Sequence, residues 1–163
     1  MLGGTLLETA VQQNAGPAFF NAIASLGFTS VEVSDGTIEL SRGKRTELIK
    51  TGIKNGLRVV TAYGKKLSGS LNDASQLAIT AKEDWDAGSE IVTVEARESG
   101  VGVGLFDESG DCREGVLDKV LRFLPDSKRI MCEAPLKHQQ VLLLQKFGPD
   151  VHLGNIHLPM YFR

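Results

Sequence analysis

Ile91-Val92-Thr93-Val94-Glu95-Ala96-Arg97-Glu98-Ser99-Gly100 is the stretch on which the fold turns. Ile91 to Ala96 is short, apolar and β-branched, as a buried strand should be. It runs directly into two carboxylates and a guanidinium. Such charges at the end of a buried strand are costly unless they are paired or hold a ligand. The arrangement recurs along the chain. Val31 to Ser34 is followed by Asp35, Val59 to Tyr63 by Lys65 and Lys66, Ile130 to Ala134 carries Glu133, and Val151 to Gly154 is followed by Asn155. Between these runs apolar residues return at helical spacing: Phe19, Ala22, Ile23 and Leu26; Leu48, Ile49 and Ile53; Ala78, Ala81 and Trp85; Val116, Leu117, Val120, Leu121 and Leu124. Gly27, Gly56, Gly88 and Gly148 stand between a helix and the next strand, where a left-handed C-cap favours glycine.

Strict alternation of strand and helix implies parallel strands joined by right-handed crossovers, hence an α/β protein. Two architectures fit. A five-stranded doubly wound parallel sheet suits 163 residues, whereas a complete (β/α)8 barrel usually takes about 250. Polar residues after nearly every strand favour the barrel, because only there do all strand ends converge on one mouth. The expectation is a single domain over residues 1–163, a TIM barrel that is incomplete, with about five strands plus a stub.

Composition narrows the function classes. Eighteen basic against twenty acidic residues give a net charge of −2, and there is no basic block, which argues against nucleic acid and anionic membranes as partners. The longest uncharged stretch, residues 9–31, is broken by Gln12, Gln13, Asn14, Gly16 and Pro17, so it is neither a membrane span nor a signal peptide. Cys112 and Cys132 read as reduced thiols of a cytoplasmic protein. The three histidines have no zinc-ligand spacing, and no nucleophile elbow is present. Asp107 to Asp111 has the composition of a calcium loop without its terminal glutamate and reads as a solvated turn. The segments 64–73 and 100–111 are the expected mobile loops.

The remaining chemistry sits at strand ends. Glu95 can hold a cation, and Arg97 can clamp an oxyanion bidentately; a structural ion-pair network is the competing reading. The amides of Gly100-Val101-Gly102-Val103-Gly104 can wrap a phosphate or sulfonate, or the segment can be a plain loop. Lys65 and Lys66 offer an ammonium whose pKa burial would lower, although paired lysines are commonly solvated. In Glu133-Ala134-Pro135-Leu136-Lys137 a carboxylate precedes a proline at the first turn of a helix, which also fits simple capping.

Several blocks resemble the phosphosulfolactate synthase family: Gly3 to Glu8, Leu26-Gly27-Phe28, Val31 to Ile38, Gly64-Lys65-Lys66, Glu95 to Gly100, Glu133 to Gln140, and Phe147-Gly148-Pro149 running into Leu153 to Ile156. The resemblance implies a (β/α)8 barrel that adds sulfite to phosphoenolpyruvate with Mg2+, giving phosphosulfolactate for coenzyme M synthesis. It implies Lys66 as the proton donor, with Lys65 its competitor, and Glu95, Glu133 and Asp35 as metal ligands, Asp35 directly or through water. Arg97 would bind phosphate or sulfite. Lys137, Gly100, Gly102 and Asn155 join it as candidates for holding the substrate. The chain departs from the family pattern at Ala62, where an acidic residue is usual, at Tyr63, usually small and aliphatic, and at His152, usually Asn. The family's first two βα units are missing, and residues 159–163 stand in place of the final helix and its arginine-rich tail. The resemblance therefore also implies an internal piece of a barrel, either active with a second copy covering its open edges or a non-catalytic relative that binds small anions.

Overall fold

The computed structural model describes residues 1–64, 73–96, 99–113, 115–124 and 126–156. Six strands alternate with helices: β1 (Leu2–Gly3), α1 (Thr5–Gln12), α2 (Gly16–Ser25), β2 (Ser30–Val33), α3 (Arg42–Lys54), β3 (Arg58–Tyr63), α4 (Ala74–Ala87), β4 (Ile91–Val94), α5 (Val116–Phe123), β5 (Ile130–Glu133), α6 (Lys137–Phe147) and β6 (His152–Gly154). A single 3-10 turn, Ser127–Arg129, leads into β5. The expected strands and the amphipathic helices between them are thus present, with the stub realised as the two-residue β1. The sequence pattern shows only one helix where the fold has the pair α1 and α2, joined through Asn14 at φ 57°.

All neighbouring strands pair in parallel, in the order β1-β2-β3-β4-β5-β6. This order excludes the alternative of a doubly wound sheet. That fold needs a point where the strand order reverses, and helices on both faces; here each strand is laid beside its predecessor without reversal. Right-handed crossovers of constant direction put every helix on one face of the sheet, leaving the other face for the inside of a barrel. The described sheet is an open one, with β1 and β6 at its edges.

Two apolar clusters form the helix-side core. Val31, Val33 and Val59 pack with Leu7, Phe20, Ile23, Leu48 and Ile49. Val92, Val94, Ile130 and Cys132 pack with Leu77, Ala81, Leu117, Val120 and Leu143. Side chains alternate along a strand, so the residues between these valines face the barrel interior: Glu32, Val60, Ala62, Thr93, Met131 and, at the strand ends, Glu95 and Glu133. Gly3 makes the first of these contacts possible: a Cβ there would lie 2.2 Å from the Glu32 carbonyl oxygen. Helices α3 and α4 begin with side-chain caps. The Asp73 carboxylate accepts from the amides of Ser75 and Gln76 at 2.9 Å, and Ser41 Oγ accepts from Lys44 N at 3.2 Å. Gly88, which ends α4, is a left-handed cap at φ 108°; Gly27, Gly56 and Gly148 also have positive φ, although Gly148, at ψ −179°, is extended in ψ instead of a left-handed cap. No described helix is long and apolar enough to cross a membrane.

Candidate active site at the strand ends

Parallel register brings the two carboxylates of the central strands side by side. Val94 pairs with Cys132, so Glu95 and Glu133 follow on neighbouring strands at the same level and on the same inner face. Glu95 is only 5% exposed. Glu133 Oε2 accepts from Ala96 N at 2.8 Å, which ties the end of β4 to β5. Gly154 lies beside Glu133 across the next ladder, and its carbonyl accepts from Ala134 N at 2.9 Å. Asn155, immediately beyond, adopts a left-handed conformation at φ 53°. Glu95, Glu133 and Asn155 are therefore brought together by three consecutive strand ends.

Asp35 is held differently. Its carboxylate lies 3.2 Å from Arg45 Nη1. Arg45, on α3, is itself buried and grips three further acceptors: both oxygens of Asp84 from Nε at 3.0 Å, Asp84 Oδ2 from Nη2 at 2.7 Å, and the carbonyl of Ala62 from Nη2 at 2.8 Å. Asp84, on α4, is 0% exposed and also takes Arg42 Nη1 at 2.7 Å. Arg45 thus joins α3, α4, the end of β3 and the turn after β2. Beside it a cavity of about 190 Å³ is lined by Asp35, Leu40, Arg42, Arg45, Tyr63 and Thr80. Burial, reinforced by Asp73 and Asp35 nearby, pushes the Tyr63 phenol above its ordinary pKa, so it stays a neutral hydroxyl in this cavity.

A buried carboxylate absent from the expected site residues completes the turn. Glu8 on α1 is 1% exposed. Its Oε1 accepts from Ser34 Oγ and from Gly36 N at 3.0 Å; its Oε2 accepts from Thr37 Oγ1 and from Thr37 N at 2.9 Å. Burial alone would raise its pKa, but the hydrogen bonds from Ser34, Thr37 and Gly36 outweigh it and hold the carboxyl below its usual range.

The segment after β4 departs from the expectation of a mobile loop. Val103, Leu105 and Phe106 are at most 2% exposed, and Phe106 forms an antiparallel bridge with Cys112. Gln139, 0% exposed on α6, donates to the carbonyls of Gly100 at 2.7 Å and Gly110 at 2.9 Å and accepts from Leu136 N at 3.1 Å. Residues 100–113 are therefore a folded lobe stitched to α6. Within it Gly102 N donates to the Asp107 carbonyl at 2.8 Å, and a Cβ on Gly102 would lie 2.6 Å from a Glu108 carboxylate oxygen. With its amide engaged and an acidic group against it, Gly102 does not offer the anion cradle expected of it. Asp107 closes the solvated turn by accepting from the amides of Ser109 and Asp111 at 2.9 and 3.0 Å. Lys137, the exposed first residue of α6, lines a groove of about 650 Å³ on the outer flank of that helix with Cys112, His138 and Val141. Pro135 precedes the N-cap, Leu136, instead of occupying the first turn. Lys65, Lys66 and Arg97 lie outside the described residues.

The donor set suits a hard cation in one respect. Mg2+ commonly takes one or two carboxylates and fills the rest of its octahedron with substrate phosphate oxygens and water, which the neighbouring Glu95 and Glu133 match. A direct set of three is not assembled: Asp35 is turned to Arg45, and among the described residues no group of three His, Cys, Asp or Glu side chains is close enough to hold a metal.

The model of the family described as (2R)-phospho-3-sulfolactate synthase (ComA) matches residues 1–159. The chain belongs to the phosphosulfolactate synthase family. It is 42% identical over 159 residues to the phosphosulfolactate synthase of Methanocaldococcus jannaschii, covering 94% of this chain and 62% of that protein. For the phosphosulfolactate synthase of Methanothermobacter thermautotrophicus the identity is 38% over 156 residues, with 94% and 60% covered. A Bacillus subtilis phosphosulfolactate synthase is 33% identical over 162 residues, with 94% and 61% covered. The chain thus spans about three fifths of the length of these relatives. Family membership agrees with the strand order, since a sheet laid down without reversal is what a partial (β/α)8 barrel requires.

Proposed function

We propose that the protein is a lyase of the phosphosulfolactate synthase type, joining sulfite to phosphoenolpyruvate in a reaction that uses Mg2+. The observation that carries the proposal is the pair Glu95 and Glu133, side by side at the inner ends of β4 and β5, in a chain matched by the family over residues 1–159. In the proposed reaction the sulfur of sulfite attacks the methylene carbon of phosphoenolpyruvate. A carbon–sulfur bond forms, and the π electrons move toward the substrate carboxylate. Lys66 then delivers a proton to the phosphate-bearing carbon and is reprotonated from solvent, which balances the addition. A metal held by Glu95 and Glu133 would supply electrostatic stabilisation of the charge gathering on that carboxylate. Arg97 binds the phosphate or the incoming sulfite, and Asn155, just beyond the neighbouring strand, orients the substrate. The free thiols Cys112 and Cys132 support a reducing, cytoplasmic setting for this chemistry.

The test follows sulfite-dependent loss of phosphoenolpyruvate with Mg2+ and identifies the product by mass. Activity that falls by about 10² to 10⁴ in Lys66→Ala, the usual loss for a general acid, with Mg2+ binding lost in Glu95→Gln, supports the proposal. Anion binding without turnover would instead assign the chain as a non-catalytic relative. Near-normal turnover in Lys66→Ala would remove that residue from the mechanism.

A further inference from the structure

We propose that Glu8 is a positioning residue of the site, whose buried carboxylate sets the turn 34–37 and through it the place of Asp35. This rests on the reading of the mouth as the reaction site for its consequence, but not for its geometry. Glu8 spends both oxygens on that turn: Ser34 Oγ and Gly36 N on one, Thr37 Oγ1 and Thr37 N on the other. All four donors lie within four consecutive residues, and Asp35 is the member of that turn whose side chain is left to point elsewhere, toward Arg45 at 3.2 Å. A carboxylate 1% exposed is costly unless every lone pair is used, and this one is satisfied solely by the turn. Glu8 is itself fixed from below. Its helix starts directly after β1, and Glu8 N donates to the Gly4 carbonyl at 3.0 Å.

The turn is therefore gripped from two sides. Glu8 holds its backbone from the β1 side, and Arg45 holds the Asp35 carboxylate from the β3 side, while the same guanidinium holds the Ala62 carbonyl at 2.8 Å. Two constraints fix where the carboxylate of Asp35 sits relative to the end of β3, which a flexible strand–helix loop would not do. Accuracy of that kind matters for a group at a reaction site and is wasted on a solvent-facing loop.

The test is Glu8→Gln, which keeps the shape of the side chain but turns one acceptor into a donor facing the turn's N–H groups. Thr37→Ala, which removes one of the four donors and leaves the fold intact, is the milder partner. Amide exchange is read at Gly36 and Thr37, with Val31 and Val33 of β2 as internal references, and Mg2+ binding is read by calorimetry. We expect exchange at the turn to rise at least about tenfold in Glu8→Gln and several-fold in Thr37→Ala, with β2 unchanged, consistent with a local rather than global opening. With Asp35 acting on the metal through water, we also expect Mg2+ affinity to fall in the same order. Unchanged exchange at the turn, or an equal rise at Val31 and Val33, would overturn the positioning role. A loosened turn with undiminished Mg2+ affinity would show that Asp35 does not act on the metal and would overturn the positioning role of Glu8 in the site. If the unmodified protein binds no Mg2+, the reading of the mouth fails by itself, and the exchange measurement still decides the role of Glu8.

Discussion

Replacing Asp84 by Asn should be among the most destabilising single changes in the chain. Asp84 is 0% exposed and receives Arg45 Nε at 3.0 Å, Arg45 Nη2 at 2.7 Å and Arg42 Nη1 at 2.7 Å. The substitution keeps the volume and one acceptor but removes the charge and aims an amide N–H at a guanidinium. Removing one partner of a buried pair typically costs about 3–5 kcal/mol, because the other charge is left uncompensated. Arg45 keeps Asp35 and the Ala62 carbonyl, which places the loss toward the lower end of that range. Arg42, 37% exposed and still paired with Glu83 at 2.7 Å, adds little. A loss of about 3–4 kcal/mol would lower Tm by about 6–16 °C at the usual 2–4 °C per kcal/mol for a chain of this size. Urea unfolding followed by circular dichroism should show the midpoint shifted at constant slope. Buried ion pairs can often be exchanged for apolar groups without loss, so Arg45→Met combined with Asp84→Leu should recover much of the stability. A loss below about 1 kcal/mol in the single variant, against the typical range just used, would refute the account of Arg45 as the hub of the fold.

Three further outcomes follow from the same contacts. Thr93, 3% exposed on the inner face, has a buried hydroxyl without a hydrogen-bond partner, so Thr93→Val should raise stability by about 1 kcal/mol in urea unfolding, and a comparable fall would refute this. Burial, with Cys112 nearby, pushes the Cys132 thiol up to about 12, and burial raises Cys112 as well, so a thiol reagent at pH 8 should label the native protein far more slowly than the urea-unfolded chain and reach Cys112 first. Rapid labelling of both in the native state would contradict that burial. Glu8 has a folded pKa below its ordinary value of 4.5, so its contribution to stability is present above that value and is lost as pH falls through the folded pKa. Midpoints measured from pH 7 to pH 3 should therefore fall in the acid range, and Glu8→Gln should flatten that part of the profile.

What the sequence made legible is what has a short period or a fixed place along the strand. The runs at Val31, Val59, Ile91 and Ile130 became β2 to β5, because β-branched residues between glycine-ended helices leave few alternatives. Helix α1 is not legible in the sequence, because its eight residues, with Leu6, Leu7 and Val11, merge into an uncharged stretch that continues into α2. Residues 100–111 depart from expectation for a related reason: their glycines suggest mobility, while the interleaved Val103, Leu105 and Phe106 are buried. Hydrophobic burial outweighs the backbone freedom of glycine when the apolar residues have a core to enter.

The candidate site shows why position along a strand identifies charges but not their duties. Asp35, Glu95 and Glu133 look alike in the sequence, each an acidic residue at a strand end. In the fold Asp35 faces Arg45, Glu133 takes the Ala96 amide, and Glu95 sits 5% exposed beside it. The residues that hold Asp35 and its turn, Glu8 and Arg45, lie far from most of their partners: Glu8 by 26 to 29 positions, and Arg45 by 10 from Asp35, 17 from Ala62 and 39 from Asp84. No periodicity of helix or strand spans such distances. Neither Glu8 nor Arg45 stands at a strand end or in a charged cluster, and only closure of the crossovers buries them. Charge that is buried and paired with four donors is committed to holding the chain, because releasing it would expose an unmet desolvation cost. Glu8 and Arg45 therefore belong to the holding network, and Asp35, whose carboxylate Arg45 takes, is bound into it, whereas parallel register alone sets Glu95 and Glu133 side by side on the inner face.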